Sequence, residues 1–255
     1  KMKKLLLVST LLLSSTAYAH QSCEVDINGG INVKQDEILF SKNKSTRYRI
    51  SKDENLYIGG RQVDLNSEQQ ALVINYSHKI RATVPEVREL ALNAVDLAMD
   101  GVSLAFNELL GEGNNVTTTL TEELSTVRDE VENHFDSESG FYVGEDGFSE
   151  SNSFDKEFEN KIESAVEGAI ESSMGSLLMA VGKEMMLSGG DMEAFETRME
   201  GFGERIEAEM EARGEHIEQQ AEQLCQTVLE INELEDELIQ QVDGLAGVNI
   251  FKVSH

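Results

Sequence analysis

From Asn66 to Val242 the apolar residues recur at intervals of three and four, and this long stretch holds the chain's only proline, Pro85. A helical period sustained over that length restricts the architecture severely. The body must be built from long amphipathic helices that bury one stripe against each other. Leu72, Tyr76 and Ile80 open the pattern. Ser67-Glu68-Gln69-Gln70 fits a capping box at its start, with Asn66 as the other candidate cap. Pro85 should break this helix, and Thr83-Val84-Pro85-Glu86 reads as a second capping box with proline in the first turn. The next helix then runs to about Leu110, with Val87, Ala91, Ala94, Ala98, Val102 and Ala105 forming a narrow contact face.

Gly111 to Asn115 ends that helix, and Leu120, Leu124, Val127, Val131 and Phe135 mark a third. Asp136 to Asn152, rich in Gly, Ser and acid, reads as a loop, with Phe141, Tyr142 and Phe148 tacked against the helices. Phe158, Ile162, Val166, Ile170, Met174, Leu178, Val181 and Met185 form a fourth stripe. Asp191 should cap a final helix from Met192 to about Val242, coiled-coil-like in its spacing. The Met/Phe stripe of that helix, Met192, Phe195, Met199, Phe202, Ile206 and Met210, is a candidate interaction surface, although core packing is its commoner use.

Before Asn66 the period is two. Cys23 to Ile27 alternates, and Asn28-Gly29-Gly30 is expected to turn it into Ile31 to Val33. Ile38 to Phe40, Arg47 to Ile50, Leu56 to Ile58 and Gln62 to Leu65 continue the pattern, with Gly59-Gly60 as a hairpin turn. A meander of about five strands is too small to bury a core alone, so the helices must cover it. Gly247 to Val253 alternates again and should return to the sheet. The expected fold class is α+β: a small N-terminal antiparallel meander packed on a mostly helical body. Its parts are a leader (1–19), a sheet region (20–65), a helical region (66–135), an acidic loop (136–152), a long acidic helical hairpin (153–243) and a terminal strand or tail (244–255). The sheet-to-helix joint offers Gln69, Gln70 and Tyr76 as a candidate cleft.

Lys3 and Lys4, the apolar run Leu5 to Leu13 and Ala17-Tyr18-Ala19 together read as a secretory leader cleaved after Ala19, which implies a periplasmic protein with His20 at its start. No later stretch is apolar enough for a stable membrane anchor. The formal charge is −27, and losing Lys1, Lys3 and Lys4 leaves −30. Such a field repels nucleic acid, so partners are expected among proteins or apolar ligands. Cys23 and Cys225 are the only cysteines. In an oxidising compartment they are expected to form one disulfide, which in the chain-entropy model contributes roughly 5 kcal/mol.

Catalytic signatures are missing. The 5 histidines are scattered, with no HExxH pair. Asp136 to Phe141 departs from the calcium-loop pattern at its sixth position, and Gly147-Phe148-Ser149-Glu150-Ser151 lacks the second glycine of a nucleophile elbow. No catalytic residue, metal site or cofactor is assigned. An enzyme using a metal at His20 or at the acidic loop is the least favoured reading.

Leu56-Tyr57-Ile58-Gly59-Gly60, Val63-Asp64-Leu65, Gln69-Gln70 and Tyr76, followed by Ile80 to Val87, resemble the YggN-like family of periplasmic proteins from Gram-negative bacteria. The resemblance is clearest from Cys23 to about Phe106. It implies export and this layout. It carries over no catalytic residue, because the family has no assigned activity. The sequence therefore points to a non-enzymatic binding or scaffold protein of the cell envelope, with a carrier or chaperone-like holdase for apolar ligands as the alternative.

Overall fold

The computed structural model describes residues 24–43, 45–135, 140–143 and 189–254, together with residue 168 and most of 174–187. Eight strands and three long helices are defined there: β1 Glu24–Ile27, β2 Gly30–Val33, β3 Glu37–Lys42, β4 Ser45–Ser51, β5 Asn55–Ile58, β6 Arg61–Gln62, α1 Ser67–Leu110, α2 Asn115–Phe135, β7 Phe141–Val143, α3 Met192–Gln241 and β8 Phe251–Ser254. An antiparallel six-stranded sheet runs β6-β5-β4-β3-β2-β7, and β1 pairs with β8 in a separate ribbon. The expected α+β class is observed.

The register explains the core. Phe40 lies opposite Tyr48, Ile38 opposite Ile50, and Ile50 opposite Leu56, so alternating side chains fall in rows on one face. All five are buried, and the Phe40 and Tyr48 rings stack 4.2 Å apart. Leu72, Val73, Tyr76 and Ile80 of α1 cover this face, with Val228, Ile231 and Leu238 of α3 beside them. Each such side chain contributes about 1.5–3 kcal/mol on burial.

The body is a long antiparallel pair of helices, each roughly 65–75 Å long at ~1.5 Å per residue. Gln69 Nε2 donates to the Gln241 carbonyl (2.6 Å), Asn93 Nδ2 to Gln220 Oε1 (2.9 Å) and Arg213 Nη1 to Asp100 Oδ2 (2.6 Å); Arg205 pairs with Glu108. As one index rises the other falls by nearly the same amount, so a single register holds from end to end. On its other side α1 packs Leu92 and Val95 against Val127 and Val131 of α2. Ala94 and Ala98, expected at a close helix contact, are exposed.

Pro85 does not break the first helix: α1 runs through it. Its ring costs one backbone hydrogen bond, and buried contacts on both sides, Ile80 before and Leu92 after, hold the helix together. Thr83 is not a cap. Its hydroxyl donates to the Lys79 carbonyl within the helix (2.9 Å). The true capping box lies one residue earlier than the Ser67-led reading: Asn66 Oδ1 accepts from Gln69 N, and the Gln69 side chain accepts from Asn66 N.

Two glycine pairs that look alike in sequence behave differently. Gly59 and Gly60 have φ of 56° and 80° and join β5 to β6 as expected. Asn28 to Gly30 makes no hairpin, because β1 pairs with β8 instead of β2. Gly29 is there for closeness: an added Cβ would lie 2.4 Å from the Ser41 carbonyl oxygen and 2.5 Å from Ile250 Cδ1. Residues 141–143 are also not loop. They form edge strand β7, with Phe141 opposite Val33 and Val143 opposite Ile31, both aromatic and aliphatic side chains buried. The returning C-terminal strand is present as β8, although it joins β1 rather than the large sheet.

Asp191 caps α3 as expected, accepting from Glu193 N (3.0 Å). In the fourth apolar stripe, Phe158, Ile162, Val166 and Ile170 lie outside the described residues. Met174, Leu178 and Val181 are exposed instead of packed. Among the described residues no helix is long and apolar enough to cross a membrane.

Candidate apolar binding site

Where the sheet, the β1–β8 ribbon and the two long helices converge, the packing leaves a cavity of about 390 Å³. Alternation along β2 turns Ile31 and Val33 toward it, and β7 adds Phe141 and Val143. Helical spacing brings Ile80, Val84 and Val87 from α1, and Leu224, Val228 and Ile231 from α3. Val25, Ile27 and Phe251 of the ribbon complete the wall. Thr83 is the one lining residue with a polar side chain apart from Cys225, and its hydroxyl is already spent on the Lys79 carbonyl. The lining therefore offers an apolar guest shape and dispersion contacts, with no charge.

Behind the ribbon sits a buried polar centre. Glu235 of α3 is 1% exposed. Its Oε2 accepts from Ile250 N and Phe251 N, both at 2.9 Å. Its Oε1 lies 3.2 Å from Tyr48 Oη and 3.3 Å from Tyr76 Oη, and the two phenols lie 3.2 Å apart. Burial pushes the carboxyl up from 4.5 to about 7, while the two backbone amides and two phenols pull it down. Burial likewise pushes both phenols well above 10.0, with the neighbouring acid adding to the effect. When the carboxyl is protonated, three hydroxyl protons serve three oxygen pairs; when it is ionised, only two do.

This centre makes stability depend on pH. The folded carboxyl holds its proton more tightly than the unfolded one, so its contribution is complete below about 4.5 and is lost as pH rises through about 7. The gap corresponds to about 3 kcal/mol. Glu235→Gln should lack that loss. In urea melts at pH 5 and pH 8, the variant should gain on the wild type by about this amount across the interval. Parallel pH profiles would show that Glu235 titrates normally.

Gln69, Gln70 and Tyr76 have separate surroundings: Gln69 completes the helix cap and reaches Gln241, Gln70 is exposed, and Tyr76 is buried beside Glu235. In the α3 stripe Met192 is exposed, whereas Phe195, Met199, Phe202, Ile206 and Met210 are half-buried. Met210 meets α1 at Gly101. Cys225 is buried and lines the cavity, as does Val25, two residues beyond Cys23; Cys23 itself lies outside the described residues. So do His20, the leader and most of the acidic loop. Among the described residues no group of three or more His, Cys, Asp or Glu is placed to hold a metal. By residue type alone Glu235 is indistinguishable from the many glutamates around it. The available signal was its phase, four residues after Ile231 and three before Leu238, on the apolar stripe.

Fold and site define an α+β protein with an apolar cavity between a small sheet and a long helical pair. A family described as a protein of unknown function, DUF2884, matches residues 23–251, and the chain belongs to it. Similar curated relatives are the uncharacterized YggN proteins of Escherichia coli K12 and O157:H7, each 26% identical over 121 residues, which is 47% of this chain and 50% of the relative. The chain thus spans about half the length of the curated relatives it matches. No solved structure matches it.

Proposed function

We propose that this is an exported, periplasmic, non-enzymatic binding protein that carries a small apolar ligand in the cavity between sheet and helices. The observation that carries the reading is the lining: about 390 Å³ walled by aliphatic and aromatic side chains, without a charged group. That volume falls within the roughly 300–1,000 Å³ typical of small-molecule sites. Leaving such a wall to water forgoes burial worth about 25 cal/mol per Å² of apolar surface, which an apolar guest recovers. A disulfide between Cys23 and Cys225 would tie β1 to α3 across this cavity, supported by the position of Val25 and by the absence of a free thiol among the described cysteines. The scaffold reading has less support, because most of the α3 Met/Phe stripe is half-buried.

A neutral fluorophore such as Nile red provides the test. It should bind with near one-to-one stoichiometry and a blue-shifted emission. Val87→Phe combined with Ala221→Phe fills the cavity from its two helical walls and should weaken binding by about tenfold or more, equivalent to ~1.4 kcal/mol. Unchanged binding in a folded double variant would place the dye elsewhere and remove this reading.

A further inference from the structure

We infer that the cavity's ligand is an amphiphile with an acidic head, its chain in the apolar cavity and its head held by Arg81 and Lys34. This rests on the apolar-ligand reading above and adds the ligand class. A second pocket, of about 520 Å³, adjoins the apolar one, and the two share Val33, Val84 and Phe141 as walls. An amphiphile spanning this boundary would have its chain in the first and its head in the second.

The chemistry changes across that shared wall. The second pocket is lined also by Lys34, Gln35 and Arg81, and no carboxylate is among its described lining residues. In a chain with 48 acidic residues against 21 basic ones, this pocket has two cations and no acid among its described lining residues. Each cation also has an acid partner outside that lining: Asp53 accepts from Arg81 Nε at 2.6 Å, and Glu37 lies 3.8 Å from Lys34 Nζ.

Arg81 is also incompletely used. Its Nη1 donates to the Lys34 carbonyl at 2.6 Å and its Nε to Asp53, which fixes the plane of the guanidinium. Nη2 is buried and has no hydrogen-bond partner. An orphaned donor of a charged group is costly, and a side-chain shift of Arg81 toward the pocket would let a ligand oxygen supply the missing acceptor. Pro85, which lines the same pocket, has no N–H to give to the Arg81 carbonyl, so one helical hydrogen bond is missing beside the pocket while α1 continues through Pro85. Carboxylate and phosphate share the chemistry this corner recognises, and both pair well with a guanidinium.

Calorimetric titration of the full chain with dodecanoate, dodecyl phosphate, dodecanol and inorganic phosphate, each below its aggregation concentration, tests this directly. The two acidic amphiphiles should bind about tenfold or more tightly than dodecanol, and inorganic phosphate alone should not bind. Lys34→Gln, on a half-exposed side chain, should narrow the acid-over-alcohol ratio, and Arg81→Gln should abolish it. Equal binding of dodecanol and dodecanoate would overturn the acidic head yet leave the apolar-ligand reading intact. Binding of inorganic phosphate as tight as that of dodecyl phosphate would overturn it by showing an anion site independent of the cavity. If none of the amphiphiles binds, both readings fall.

Discussion

Glu235→Ala should lower stability by about 3–5 kcal/mol, the cost expected when the centre of a buried hydrogen-bonded network is removed. Two mechanisms add. The Ile250 and Phe251 amides lose their shared acceptor while staying buried, and the space left by the side chain is walled by two tyrosines that cannot easily move, since Phe40 stacks on Tyr48 at 4.2 Å and on Tyr76 at 5.6 Å. The loss should also be local. Ile250 and Phe251 lead into β8, so their release loosens the β1–β8 ribbon that walls the cavity. Hydrogen exchange in the variant should therefore accelerate first at residues 24–27 and 250–254. Uniform acceleration over the whole chain would mean that Glu235 stabilises the core without holding the ribbon. Glu235→Gln keeps an acceptor and should cost much less.

The second large effect concerns the cysteines. Cys225→Ser or Cys23→Ser should destabilise the oxidised protein by about 3–5 kcal/mol, because the bridge would close a loop spanning most of the chain. Reducing the wild type should produce the same loss, and reducing either variant should produce none. Both changes loosen β1, which enters the cavity wall through Val25 and Ile27, so apolar-probe affinity should fall together with stability. Two titratable thiols in unreduced, unfolded wild-type protein would eliminate the bridge and this prediction with it.

The parts of this fold that were legible in the sequence are those with one physical meaning. The change of period at Asn66 could only be a change from strand to helix, and the final helix kept its phase from Met192 to Gln241. Gly59-Gly60 was legible because alternation on both sides left a turn as the one economical use. The failures fall where a residue type has two uses. Gly29 serves close approach between Ser41 and Ile250, which are distant in sequence, so nothing local distinguished it from a turn glycine. The local cost of Pro85 predicts a break, and contacts from α2 and α3 on either side outweigh it. Phe141 to Val143 is too short to show a strand period, and its pairing with β2 is set by tertiary position.

The candidate site was less legible than the fold for the same reason. Its walls come from β1, β2, β7, β8, α1 and α3, and every one of those residues reads individually as ordinary core. A cavity is a shortfall of volume between elements, and no single segment encodes it. Arg81 stood in the stretch that resembles the YggN-like family, yet only the structure brings it beside Lys34 and leaves one of its nitrogens without a partner.

The most direct test of the apolar cavity is what the protein carries when it is purified natively. Organic extraction and mass spectrometry of the wild type should recover an apolar or amphiphilic small molecule at near one equivalent per chain, and the Val87→Phe, Ala221→Phe double variant should yield little or none. Wild-type protein that carries nothing and takes up no added apolar probe, while remaining folded, would contradict the account.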